Sequence, residues 1–187
     1  MTKTSNICIF PGTFNPIHVA HLSVANFALN SYGFDKIIFI PSATPPHKEV
    51  STNLSEHRLK MVELAVSTNS KFEVSDIEYH LNGKSYTYNT VCALKNKYNI
   101  KGKINMLIGT DAFEKIESWY RVDELKELVH FIVFPRGVEL TEKKGFDYEM
   151  APMPFMDISS TNIRTECKND TIESVKDYIE KNGLYKN

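Results

Sequence analysis

Cysteine is scarce: the 187-residue chain has three, Cys8, Cys92 and Cys167. An odd number, widely separated and without Cys-x-x-Cys spacing, argues against a disulfide framework and against a cysteine zinc site. A reducing, cytoplasmic setting with no structural metal is expected. Long apolar runs are missing as well. None approaches the roughly 18 residues that mark a bilayer span, and the opening Met1-Thr2-Lys3-Thr4-Ser5-Asn6 leads straight into a strand-length run, so neither a membrane span nor a signal peptide is expected. Nor is there an excess of basic charge. Lys and Arg number 22 against 23 Asp and Glu, for a net charge of −1 with both signs scattered along the chain. A broad nucleic-acid face would need a basic surplus, so small-molecule chemistry is the better reading. No internal repeat, low-complexity tract or Pro/Ser-rich linker divides the sequence.

What is present is globular. Hydrophobic residues make up 42%, and with glycine roughly 46% falls inside the range of soluble domains. The length suits one domain over residues 1–187, with a core at 6–135 and a small helical part at 156–187. Short apolar, mostly β-branched or aromatic runs at 7–10, 37–40, 72–74, 104–108 and 131–134 predict five buried strands. Helical periodicity predicts helices at about 19–32, 55–68, 87–98 and 121–128. In the second of these, Leu59, Met61, Val62, Ala65 and Val66 are assigned to the core, with Glu56, Arg58, Lys60 and Glu63 outward. The alternation of strand and helix implies an α/β, doubly wound parallel sheet with right-handed crossovers. A last helix over 174–181 carries Val175, Tyr178 and Ile179 on one face and stops at Asn182-Gly183. Residues 137–155 have few periodicities and are read as a loop or extra strands.

Several motifs lie where such a sheet keeps its ligand site, at the carboxyl ends of strands. The first strand runs into Pro11-Gly12-Thr13-Phe14-Asn15-Pro16-Ile17-His18-Val19-Ala20-His21-Leu22, and a helix begins there. Gly12 permits close backbone approach to a phosphate. His18 and His21, three apart, project about 60° from one another on one face of the helix start, both towards one anion. A capping histidine and a packing histidine would be the plain alternative. Pro45-Pro46-His47-Lys48 puts an imidazole and an ammonium on a proline-stiffened loop, and Ser85-Tyr86-Thr87 opens the third helix. Asp111, just past the fourth strand, is placed to hold ribose hydroxyls or to cap a helix. Trp119 offers a π-face or simply core volume. Arg136 follows the fifth strand, and Ser159-Ser160-Thr161 leads into a helix with Arg164 one turn in, where hydroxyls and a fixed cation suit polyphosphate.

The first of these runs resembles the Gly-Gly-Thr-Phe-Asp-Pro-Ile-His-x-Gly-His signature of nucleotidyltransferases of the nicotinate mononucleotide adenylyltransferase family, with Pro11, Asn15 and Ala20 departing from it. Pro-Pro-His-Lys, Ser-Tyr-Thr-x-x-Thr, Gly109-Thr110-Asp111 with Trp119, and Ile158-Ser159-Ser160-Thr161-Asn162-Ile163-Arg164 resemble further elements of that family in the same order. Only residues 165–171, which lack a Leu-Pro before the last helix, differ clearly. The resemblance implies adenylyl transfer from ATP to nicotinate mononucleotide, giving deamido-NAD and pyrophosphate, with Mg²⁺ arriving on ATP. It implies His18, His21 and Arg164 as catalytic residues. Gly12, Thr13, Phe14, Asn15, Gly109, Asp111, Ile158, Ser160 and Thr161 would bind nucleotide, and His47, Lys48, Ser85, Tyr86, Thr87, Trp119 and Arg136 the second substrate. A pantetheine-phosphate-type transferase, or a non-catalytic nucleotide sensor on the same fold, are the competing readings. The oligomeric state is left open, a homodimer being one option.

Overall fold

The computed structural model describes residues 6–46, 54–166 and 170–185. Six strands, β1 (Ile7–Gly12), β2 (Lys36–Pro41), β3 (Phe72–Val74), β4 (Ile104–Gly109), β5 (Val129–Phe134) and β6 (Tyr148–Met150), form one sheet in the order β3-β2-β1-β4-β5-β6. Every pairing is parallel. The helices are α1 (Val19–Ser31), α2 (Ser55–Val66), α3 (Thr87–Lys97), α4 (Thr110–Phe113), α5 (Val122–Leu128), α6 (Ser160–Glu166) and α7 (Glu173–Lys181). The five predicted strands are all present.

Alternation along β1 divides the core. Cys8 and Phe10 point to one face, where Ala25 and Leu29 of α1, Met61 and Ala65 of α2 and Val175 of α7 cover them. Ile7 and Ile9 point to the other, against Val91 and Leu94 of α3 and Leu125 of α5. A parallel sheet must be covered on both sides, which is why its strands read as continuous apolar runs. Chain order reverses between β1 and β4, and a crevice opens beyond the carboxyl ends of those two strands.

One open reading is decided and one assignment is corrected. Residues 137–155 contain a sixth strand, β6, whose Tyr-Glu-Met sequence has no strand signature. It pairs with β5, and His130 of β5 is hydrogen-bonded between Asp147 at 2.8 Å and Glu149 at 3.1 Å. Arg58 does not face outward: it is fully buried. Its guanidinium donates to the carbonyls of Thr13 at 2.8 Å and Ala43 at 3.2 Å, tying the loop after β1 to the loop after β2. Among the described residues no helix is long and apolar enough to cross a membrane.

Candidate active site

The crevice at the switch point is a cleft of about 950 Å³, at the upper end of what small-molecule sites occupy. Its floor is the end of β1. Gly12 is bare because the Phe14 ring lies over it: a Cβ there would sit 2.7 Å from the ring. The close approach this glycine permits within the chain is to the Phe14 ring. Phe14 itself has φ 45, the left-handed region that strains a bulky residue.

The two histidines of the loop do not share one position. His21 lines the cleft, and its Nδ1 accepts the backbone N–H of His18 at 3.2 Å, satisfying one of the donors left over at the start of α1. An acceptor at Nδ1 of a neutral imidazole puts the proton on Nε2. His18 holds the N-cap position of α1 and is 1% exposed. Its ring is stacked on His21 with centroids 3.6 Å apart, and neither of its ring nitrogens has a hydrogen-bond partner.

Burial, with the charge of Arg136 adding to it, pushes the His18 imidazole down to about 3 from an ordinary 6.5. Between those values the unfolded chain binds one proton more than the folded protein. Stability from this source is therefore complete above about pH 6.5 and falls as pH drops towards 3, by up to about 1.4 kcal/mol per pH unit. In urea unfolding at about pH 7 and about pH 5, His18→Gln is expected to lose less stability on acidification than the wild type. Equal losses would place the proton uptake elsewhere.

On the opposite wall Gly109 ends β4. A Cβ at this position would lie 2.5 Å from both Asp111 Oδ1 and Arg136 Cγ, so glycine leaves room for both side chains beside the strand end. Asp111 sits in the first turn of α4 rather than capping it. The Arg136 backbone N–H donates to Thr110 Oγ1 at 2.9 Å, and its guanidinium to the Ile158 carbonyl at 3.0 Å. Ile158 takes part through that carbonyl and is not on the cleft wall.

From the C-terminal part, Arg164 donates to the Asn15 carbonyl and, at 3.3 Å, to Thr161 Oγ1. Ser160 Oγ donates to the Pro16 carbonyl at 2.9 Å, so this hydroxyl holds the loop after β1. Thr13, Asn15 and Thr161 all reach the cleft. Among the described residues, Lys115, Arg136 and Arg164 stand there against the single carboxylate of Asp111. The lining is positive in a chain that is nearly neutral overall, the pattern of a site for an anion.

Part of the cleft wall is aromatic. Trp119 and Tyr86 line it, and Tyr86 stacks on Tyr120 with centroids 4.5 Å apart. Thr87, also on this wall, is the first residue of α3, where a backbone N–H has no partner within the helix. The Tyr86 N–H is already taken by the Lys84 carbonyl at 2.8 Å. Ser85 is committed too: its N–H donates to the Thr44 carbonyl and its Oγ accepts the Thr44 N–H, both at 2.9 Å. His47 and Lys48 lie outside the described residues.

Sequence reasoning missed Lys115, Ser118 and Tyr120 on the walls, and Arg58 and Glu78 behind them. Buried Glu78 accepts from the Ala43 N–H at 3.3 Å and Thr90 Oγ1 at 2.7 Å, so with Arg58 it holds both backbone polar groups of Ala43. Burial raises its carboxyl above the usual range. One available signal was the spacing of Arg58 with Met61, Val62 and Ala65.

Comparison with known proteins agrees with this geometry. A model of the Cytidylyltransferase-like family matches residues 9–166. The chain is 38% identical to the nicotinate-nucleotide adenylyltransferase of Bacillus subtilis, over 96% of this chain and 97% of the relative. It is 37% identical to a probable nicotinate-nucleotide adenylyltransferase of Caldicellulosiruptor saccharolyticus, over 96% and 98%. In fold it is similar to the solved nicotinic acid mononucleotide adenylyltransferase of Plasmodium falciparum in complex with NaAD, with a TM-score of 0.78, 24% identity and 97% of each chain covered. The matches extend over the strand ends and the segments that build the cleft, and by them the chain belongs to the cytidylyltransferase-like family and, within it, to the nicotinate-nucleotide adenylyltransferases.

Proposed function

We propose that this cleft transfers the adenylyl group of ATP to nicotinate mononucleotide, releasing pyrophosphate and deamido-NAD. The observation that carries the reading is the lining of one continuous cleft, which brings Lys115, Arg136, Arg164 and His21 together with Trp119, Tyr86 and the start of α3. ATP lies with its phosphates towards His21, Arg164, Arg136 and Lys115, and its ribose towards Asp111. The pyridine ring lies on Trp119.

A phosphate oxygen of the mononucleotide forms the new bond to the α-phosphorus, and the bond from that phosphorus to the oxygen of the departing pyrophosphate breaks. The attacking phosphate is already deprotonated, so no protein base is needed. What the protein supplies is alignment and neutralisation of charge. His21 donates through Nε2–H, and the unpartnered N–H of buried His18 is the kind of orphan that a phosphate oxygen satisfies. Arg164 and Arg136, positioned by carbonyls of the loop and of Ile158, face the leaving group. Mg²⁺ enters with ATP as part of the substrate and neutralises charge on its phosphates. The setting that fits this use of ATP is the cytoplasm.

Choice of the acid over the amide follows from donors. The start of α3 offers N–H and a positive dipole end, which a carboxylate accepts with either oxygen. The amide's NH₂ would face a donor there, leaving an N–H unpaired at a cost of about 1–3 kcal/mol. With ATP, Mg²⁺ and each mononucleotide in turn, pyrophosphate release is expected to favour nicotinate over nicotinamide mononucleotide by at least about tenfold in kcat/KM. Release with pantetheine phosphate alone, or with no acceptor offered, would overturn the reading. Equal use of both mononucleotides would put an acceptor in the pocket beside the N–H.

A further inference from the structure

The C-terminal segment grips the loop after β1 residue by residue. Thr171 Oγ1 donates to the Ile17 carbonyl at 2.7 Å, and the Val19 N–H to the Asp170 carbonyl at 2.9 Å, alongside the contacts of Ser160 and Arg164. One contact differs from these because it is made to a side chain. The Tyr185 hydroxyl donates to Asn15 Oδ1 at 2.5 Å, across 170 positions of sequence.

Tyr185 reaches that atom under constraint. Its φ is 60, the left-handed region that costs a tyrosine free energy, and such strain persists where the surroundings hold it. Its ring packs beside Leu184 against the core on the α1 side of the sheet. Burial raises the phenol to about 12, so the hydroxyl keeps its proton and stays a donor throughout the neutral range.

An amide whose oxygen is held from one side presents its NH₂ on the other. Asn15 lies on the cleft wall, and in the signature this sequence resembles the position is an aspartate. From Tyr185 to Asn15 the structure assigns a new role: Tyr185 is a positioning residue that fixes the Asn15 amide with Oδ1 inward, so that Nδ2 donates into the cleft to a phosphate oxygen of ATP. A carboxylate at this place would put negative charge there; an amide held in this way puts two N–H donors. The assignment rests on the proposed function for the identity of the ligand, and the Tyr185–Asn15 contact is what makes it specific.

A double-mutant cycle tests it, with ATP affinity read by calorimetry in the absence of acceptor and KM values read in the full reaction. Tyr185→Phe keeps the ring and removes one hydroxyl. It is expected to weaken ATP binding about three- to tenfold, the scale of one hydrogen bond, with the KM for nicotinate mononucleotide unchanged. Asn15→Ala should do the same, and adding Tyr185→Phe to it should change ATP affinity no further. Unchanged ATP binding in Tyr185→Phe overturns the role. So do effects that multiply in the double variant, or a matched rise in both KM values with a lower Tm, since each makes Tyr185 a packing residue. Wild-type protein that binds ATP but releases no pyrophosphate would sink the proposed function while the binding cycle still decides on Tyr185.

Discussion

His21→Ala is expected to lower kcat by about 10²-fold or more, the scale measured when one preorganised donor to a developing oxyanion is removed. The substitution takes away the Nε2–H and also the acceptor that holds the His18 N–H. Loss of that cap should cost stability of only about 1 kcal/mol. Kinetics and melting together make the test. A variant that melts much lower while turning over near the wild-type rate would return His21 to a structural role. His21→Asn, which can accept from the same backbone N–H but is too short to donate as far, should recover the melting temperature without recovering kcat.

Arg58→Met is the change expected to harm the fold most. It removes two hydrogen bonds from a charged donor, to the half-buried carbonyls of Thr13 and Ala43, each worth about 1.5–3 kcal/mol, and leaves Ala43 only the long bond from Ser55 Oγ at 3.4 Å. It also leaves buried Glu78 without its nearby opposite charge. A loss of about 3 kcal/mol or more in urea unfolding follows, equivalent to roughly 6–12 °C in Tm for a chain of this size. Arg58→Lys keeps the charge but not the fork, so it should fall between the two. Stability within about 0.5 kcal/mol of wild type in Arg58→Met would mean that other groups replace both bonds.

That same arginine marks where the sequence could and could not be read. At 100° per residue Arg58 falls in the centre of the stripe made by Met61, Val62 and Ala65, and only its charge argued for the outside. Periodicity was the better guide. The strands of the sheet interior were legible because a parallel sheet buries both faces of each, leaving unbroken apolar runs such as Ile37 to Ile40. The edge strand β6 was not: Tyr148–Met150 is held by its ladder to β5 and by His130, and those contacts are tertiary. For the site, the His18–His21 spacing gave the face of the helix but not the depth, and the structure places one ring on the wall and the other beneath it. Ser85, Ser160 and Arg164 turn to backbone carbonyls and amides. Every residue carries those groups, so no sequence pattern reveals such pairings.

The grip of the C-terminal segment on the loop after β1 also separates two events in folding. Apart from the β1–β4 pairing, the strands of the sheet join neighbours in sequence, whereas the contacts that shape residues 15–19 span 144 to 170 positions. Closing so large a loop costs entropy that is recovered only after the intervening elements are in place. The loop that is synthesised early is therefore given its final shape late. For the same reason the docking of α6 and α7 can open as a unit of its own, at less than the free energy of global unfolding. Under mild denaturant, activity should then be lost before the far-ultraviolet signal of the sheet, with the first-made loop losing its shape while the strand that carries it stays paired.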